Sequence, residues 1–150
     1  MNAKRRFISV LIIAAILFTA MGLIYFIGHP VMVIGSSMKP TYSGGEILFT
    51  KVSFDKDDIK EGSIIVFRRN GKRYIKRVVG LPGEAVEVKK DGVYINGMLH
   101  KDDFGEINNT YPEIILGEDE YFALGDNRNN SEDSRELGPV SFDEITNIVR

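Results

Sequence analysis

There is no cysteine among the 150 residues, so disulfides, thiol catalysis and zinc-thiolate sites are all excluded. Histidine is nearly as scarce: His29 and His100 are the only two, and neither stands at a metal-ligand spacing such as H-E-x-x-H. Net charge is −2 with the signs mixed along the chain, so no broad basic field exists and nucleic acid is not an expected partner. Internal repeats and low-complexity segments are also missing. Neither a metal nor a cofactor is expected, and any chemistry has to come from ordinary side chains.

What the chain does have is one long apolar run. From Phe7 to Ile27 there is no charged residue, and at about 1.5 Å per residue a helix of that length matches the roughly 30 Å hydrocarbon core of a bilayer. Lys4, Arg5 and Arg6 precede it, which by the positive-inside rule keeps the N-terminus cytoplasmic and places everything after Gly28 outside. A cleaved signal peptide would have a shorter apolar region ending in A-x-A spacing, and a cut after Ala20 would put Phe18 where a small residue is needed. The expected division is therefore a cytoplasmic tail and single membrane anchor over 1–28. An extracytoplasmic domain over 29–150 follows, small enough for one core.

Beyond the anchor, short β-branched runs alternate with turn residues. Val31 to Ile34 reads as a strand leading into Gly35-Ser36-Ser37-Met38-Lys39-Pro40-Thr41, where Pro40 disfavours helix for Lys39 and leaves Ser37 extended or in a turn. Gly44-Gly45 turns the chain into a strand over 46–52, and the polar 55–62 segment reads as a solvated loop. Asn70-Gly71 between Ser63–Arg69 and Lys72–Val79 is a strong hairpin signal, because both residues tolerate the positive φ of a type I′ turn. With a two-residue loop Arg69 faces Lys72 and Ile65 faces Lys76. Lys76 then shares its face with Tyr74, Val78, Ser63, Ile65 and Phe67.

Leu81-Pro82-Gly83 makes the next turn. Strands over 85–88, 93–95 and 98–100 predict a small β-ribbon within an insertion spanning about 84–120, with 101–112 a loop. His100, on this reading, has no neighbour that suggests catalysis. Tyr121–Leu124 is a buried strand delivering Gly125-Asp126-Asn127-Arg128 into a turn, and Ser141-Phe142-Asp143-Glu144 fits a capping box. The fold class is mainly β and antiparallel.

A serine hydroxyl needs a base to take its proton, and with histidine so scarce lysine is the next option. Lys76 is the one lysine for which the pattern derives an apolar setting, where burial lowers an amine's pKa. Lys39 is expected in solvent. A serine and a lysine are by themselves weak grounds for catalysis, and Asp133 with Arg135 would by default be an exposed ion pair worth about 0 to 1 kcal/mol.

Three longer stretches are more specific. Ser37-Met38-Lys39-Pro40-Thr41 resembles the S-M-x-P-T nucleophile box of the bacterial type I signal peptidases, and Gly45-Glu46-Ile47-Leu48 is similar to the G-D-x-[LIV] start that follows it. Tyr74 to Gly83 resembles the box that carries the family's general-base lysine. Gly125 to Arg135 is similar to its G-D-N-R-x-x-S-x-D-S-R box. The resemblance runs from the anchor to about Val140.

It implies a membrane-bound serine endopeptidase that removes signal peptides from exported preproteins after small residues at −3 and −1. It implies Ser37 as nucleophile, Lys76 as general base, Ser131 orienting the lysine, and Asp133 with Arg135 as a structural pair. The implied fold is the antiparallel signal-peptidase β fold, with a groove beside the bilayer where an extended substrate adds to a strand edge. Candidates for its walls are Val31, Met32, Val33, Ile34 and Met38, with part of the Leu81 to Glu84 region.

One departure is Gly35, where some members carry a serine whose hydroxyl helps the oxyanion hole. Losing such a donor costs about 2.7 to 4 kcal/mol, so Ser37 N–H would need a water or Ser36 beside it. A second is the end at Arg150, short of a strand that relatives often have, so the sheet is expected to lack an edge. Rival readings are a dedicated pilin or conjugation-protein peptidase, a non-catalytic assembly factor, and a self-cleaving repressor. A repressor would begin with a DNA-binding segment rather than an anchor.

Overall fold

A computed structural model describes residues 3–100, 104, 105 and 107–150. Helix α1 runs over Ala3–Ile27 and is long and apolar enough to cross a membrane, with none of its Arg5–Gly22 segment packed against the rest of the chain. Gly28 ends it, and the chain passes directly into strand β1, His29–Met32.

The strands that follow are β2 (Ile47–Lys51), β3 (Ile64–Arg69), β4 (Lys72–Gly80), β5 (Ala85–Lys89), β6 (Gly92–Ile95), β7 (Met98–His100), β8 (Tyr111–Ile115), β9 (Glu120–Leu124), β10 (Val140–Ser141) and β11 (Ile145–Val149). A second helix, α2, covers only Ser134–Leu137. The strands form an antiparallel sheet in the order β1-β2-β11-β3-β4-β9-β10 and a smaller one in the order β7-β6-β5-β8.

The β3–β4 hairpin has the predicted register: Arg69 lies opposite Lys72 and Ile65 opposite Lys76. Asn70 and Gly71 adopt φ of 50° and 76°, so the turn sets the pairing locally. One face of this hairpin, with Ile65, Phe67, Tyr74 and Val78, packs with Tyr121, Ala123, Ile145 and Ile148 into one core. A second core joins the two sheets, as Val79, Phe122 and Leu124 meet Val86, Val88 and Val93. The ribbon is thus packed onto the larger sheet.

Three elements differ from expectation. β8 begins inside the segment read as a loop, and Pro112 fits there because β8 is an edge strand that need not donate from every residue. Residues 101–103 and 106 of that segment lie outside the described residues. The capping box at Ser141 does form, but the chain continues into β11, which inserts between β2 and β3 inside the sheet. The polar 55–62 segment contains a 3-10 turn over Lys56–Asp58.

Arg69 at the end of β3 ties this arrangement together. Its Nε donates to Glu144 Oε1 at 2.6 Å, its Nη1 to Leu137 O at 2.6 Å and its Nη2 to Pro139 O at 2.7 Å. Hydrogen bonding to Arg69 holds the Glu144 carboxyl below its usual range, so this stabilisation is present above the ordinary carboxylate pKa and is lost as pH falls through the lowered one. Arg69→Met should cost about 1.5–3 kcal/mol in urea unfolding near pH 7, and less at pH 3.

Candidate active site

The loop after β1 carries Ser37 as a tight turn. Val33 N donates to Glu46 O at 2.8 Å and Tyr42 N to Met38 O at 2.8 Å, which closes the loop on itself. Its inner side is Met38, 1% exposed, while Ser37 stays half-buried. Lys76 comes from the middle of β4 and is only 3% exposed. Its Nζ donates to Ser37 Oγ at 2.8 Å and to its neighbour's carbonyl, Ile75 O, at 3.0 Å. The amine also lies 5.9 Å from the Tyr74 ring centre.

Burial lowers the Lys76 pKa from its ordinary value. The carboxylates of Asp133, Glu132 and Asp126 oppose this, while Arg135 adds to it. A hydroxyl and an amine that gives up its charge readily, within hydrogen-bonding distance, can perform nucleophilic attack with general-base assistance.

The 125–135 loop holds the Ser37 loop through further hydrogen bonds. Asn127 N donates to Ser37 O at 2.9 Å, and Asn127 Nδ2 to Ser36 O at 3.1 Å. Asp126 is buried, accepts from Arg77 Nε at 2.8 Å and Nη2 at 2.7 Å, and accepts from the Thr41 hydroxyl. The Ser37 loop, β4 and the 125–135 loop are thereby cross-linked through one carboxylate. Sequence reasoning did not single out this trio, although all three lie in the quoted boxes. A charged residue next to the base and another in the third box were the available signal.

Asp133 and Arg135 differ from a default surface pair. Their side chains are 0% and 2% exposed, and the guanidinium meets the carboxylate through two bonds of 2.8 Å. Asp133 also caps α2 and accepts from Gly125 N at 3.0 Å, which holds the loop's shape. Ser131 corrects the expectation that it orients the lysine. Its Oγ is buried against Gly125 and makes no hydrogen bond to Lys76 or to any other described residue. Ile75 O takes the second place on the amine instead.

The close approach at Gly125 leaves no room for a side chain. An added Cβ would stand 2.6 Å from Ser37 O and 2.6 Å from Ser131 Cβ. Gly125→Ala should therefore push the Ser37 loop outward. We expect a loss of about 1–3 kcal/mol in thermal unfolding and, since displacement by 1 Å can cost about 10²-fold, a comparable fall in kcat.

A groove of about 610 Å³ opens over the pair. Val31, Met32 and Ile34 line one side with Gly35, Ser36 and Ser37, while Lys72 to Lys76 of β4 form the other with Val66, Asn130 and Glu132. Two wall candidates are corrected: Val33 and Met38 are 3% and 1% exposed and turn into the interior. The Leu81 to Glu84 region is corrected too, since Leu81 and Pro82 line a separate cavity with Lys56 and Tyr121. β4 shares the lining of the groove with β1, four places away in the order of the larger sheet. Lys39 is exposed, as expected, and His100 Nδ1 lies 3.2 Å from Glu61 Oε1, away from the groove's lining.

The profile of the family described as "Signal peptidase, peptidase S26" matches residues 4–150, the anchor and both sheets together. The chain belongs to this signal peptidase family. Among its curated relatives, signal peptidase I P of Bacillus subtilis subsp. natto is 36% identical, over 82% of this chain and 75% of that one. Signal peptidase IB of Staphylococcus aureus strain COL is 32% identical, over 83% and 76%. The crystal structure of a signal peptidase I from Enterococcus faecalis V583 is 34% identical, covers 61% of this chain and 97% of its own, and superposes with a TM-score of 0.52. The signal peptidase chain spans 66% of the length of its Bacillus amyloliquefaciens relative and 76% of the Staphylococcus aureus one.

Proposed function

We propose that this chain is a membrane-anchored serine endopeptidase that removes N-terminal signal peptides from exported preproteins, cutting after small residues at −3 and −1. The observation that carries the reading is the 2.8 Å contact between Ser37 Oγ and a buried Lys76 amine inside a groove. Membership of the signal peptidase family supports the substrate class. That both members of the pair are present and in contact favours cutting over a non-catalytic assembly role.

The chemistry follows from those atoms. Neutral Lys76 takes the Ser37 proton as Oγ attacks the scissile carbonyl carbon. The resulting ammonium protonates the leaving amine, the C–N bond breaks, and an acyl-enzyme remains. Lys76, neutral again, takes a proton from water, whose hydroxide attacks the ester; the proton then returns to Ser37. Asp133 and Arg135 hold the loop rather than touching the reacting atoms.

The surroundings suit an extended substrate leaving a bilayer. Among the described residues β1 is one of the two edge strands of the larger sheet, so a signal peptide can add to it as a further strand with its side chains alternating into the groove. The anchor joins β1 at Gly28, and Met32, Ile34, Ile47 and Phe49 beside it are 58%, 86%, 57% and 46% exposed, an apolar surface suited to lying against lipid. With Arg5 and Arg6 before the span, the positive-inside rule puts the groove on the extracytoplasmic face. Purified protein in detergent should cut a preprotein bearing Ala-x-Ala at one bond, located by sequencing the new N-terminus. Replacing the −1 alanine by phenylalanine should stop the cut. Cleavage indifferent to that replacement contradicts the reading.

A further inference from the structure

A carbonyl attacked by Ser37 gathers negative charge on its oxygen, and donors aimed at that oxygen commonly make the largest single contribution to acyl transfer. Lys76 is engaged with the nucleophile, and Gly35 has no side chain to offer. The geometry of the loop narrows what is left. Ser36 O accepts from Lys39 N at 3.2 Å and from Asn127 Nδ2 at 3.1 Å, and Ser37 O accepts from Asn127 N at 2.9 Å. Both carbonyls are thus turned away toward neighbouring backbone and the 125–130 loop. Ser37 N–H donates to no described residue.

Ser36 Oγ accepts from Asn130 Nδ2 at 3.0 Å, which occupies an oxygen lone pair and leaves the O–H proton free to donate elsewhere. Ser36, Ser37 and Asn130 all line the one groove. We propose that Ser36 Oγ–H and Ser37 N–H together form the oxyanion hole, with Asn130 as the positioning residue that aims the Ser36 hydroxyl. The inference rests on the Ser37/Lys76 reading. Ser36 touches the reacting oxygen; Asn130 acts only through Ser36.

The test is steady-state cleavage of the Ala-x-Ala preprotein in detergent by Ser36→Ala, Asn130→Asp and the double variant. It is paired with binding of two peptides ending at the −1 residue, one a C-terminal aldehyde and one the free carboxylate. Ser37 Oγ–H adds reversibly across the aldehyde carbonyl, and the oxygen of the adduct occupies the hole. Ser36→Ala should lower kcat about 10²–10³-fold with KM within about twofold, and weaken the aldehyde but not the carboxylate peptide. Asn130→Asp replaces a donor by an acceptor and draws the Ser36 proton away, so it should lower kcat too. In the Ser36→Ala background it should add nothing.

Ser36→Ala with kcat within about threefold of the parent overturns the proposal, as does a loss confined to KM. An Asn130→Asp loss that persists unchanged without Ser36 removes Asn130 from its role. Cutting by Ser37→Ala sinks the underlying reading instead, a result that Ser36→Ala cannot mimic.

Discussion

Ser37→Ala is expected to lower cleavage of an Ala-x-Ala preprotein by about 10⁶-fold, the scale seen when a serine protease loses its nucleophile. No thiol can substitute, because the chain has no cysteine. The fold should be indifferent to the change. Among the described residues Ser37 Oγ bonds only Lys76, the loop is held by its backbone and by Asn127, and the amine retains Ile75 O at 3.0 Å. Circular dichroism and the melting temperature should match the parent. Cutting above 1% of the parent rate in a variant free of wild-type protein is incompatible with Ser37 as the nucleophile.

Lys76→Met is expected to be as inactive and, unlike Ser37→Ala, more stable. Burial holds the native amine below its ordinary pKa of 10.5, whereas the unfolded chain restores that value. Between the lowered and the ordinary pKa the unfolded state binds more protons, so stability rises with pH across that window and is poorest below it, where folding buries an ammonium. Methionine has a similar length and no charge to desolvate. It should therefore raise Tm most at pH 6, by roughly 4 °C for each kcal/mol recovered, and flatten the pH dependence of stability. Activity of the parent should climb with pH through the same lowered pKa, because only the free amine can take the Ser37 proton. Such an exchange of stability for function is the usual mark of a catalytic group built into a core.

How much of this was legible beforehand depended on whether the information was local. The β3–β4 register could be read because Asn70-Gly71 carries its own geometry, and from it came the apolar setting of Lys76. Alternation alone could have separated the walls of the groove from the interior: Met32 and Ile34 point out, while Val33 between them points in. What stayed hidden was non-local. β11 pairs with strands about 80 and 100 positions earlier in the chain, at Val66 and Lys51, and nothing in Ile145–Val149 names those partners.

The β4 share of the groove's lining was missed for the same reason, since β1 and β4 stand four places apart in the sheet and no local sign links them. Ser131 shows the limit of reasoning by resemblance. Its position in the third box matches the family's, yet its hydroxyl rests against Gly125 rather than on the lysine. The buried Asp126–Arg77–Thr41 cross-link was visible only as three polar residues in three separate boxes until the fold brought them together.

The central claim is that Lys76 works as a free amine beside Ser37. Its most direct measurement is the titration of the Lys76 side-chain nitrogen by NMR in protein labelled with ¹⁵N-lysine, assigned with Lys76→Met and set beside the pH–rate curve. The account predicts a pKa below 10.5 that coincides with the rise in rate. A Lys76 that stays an ammonium throughout the range where cleavage reaches its full rate contradicts it.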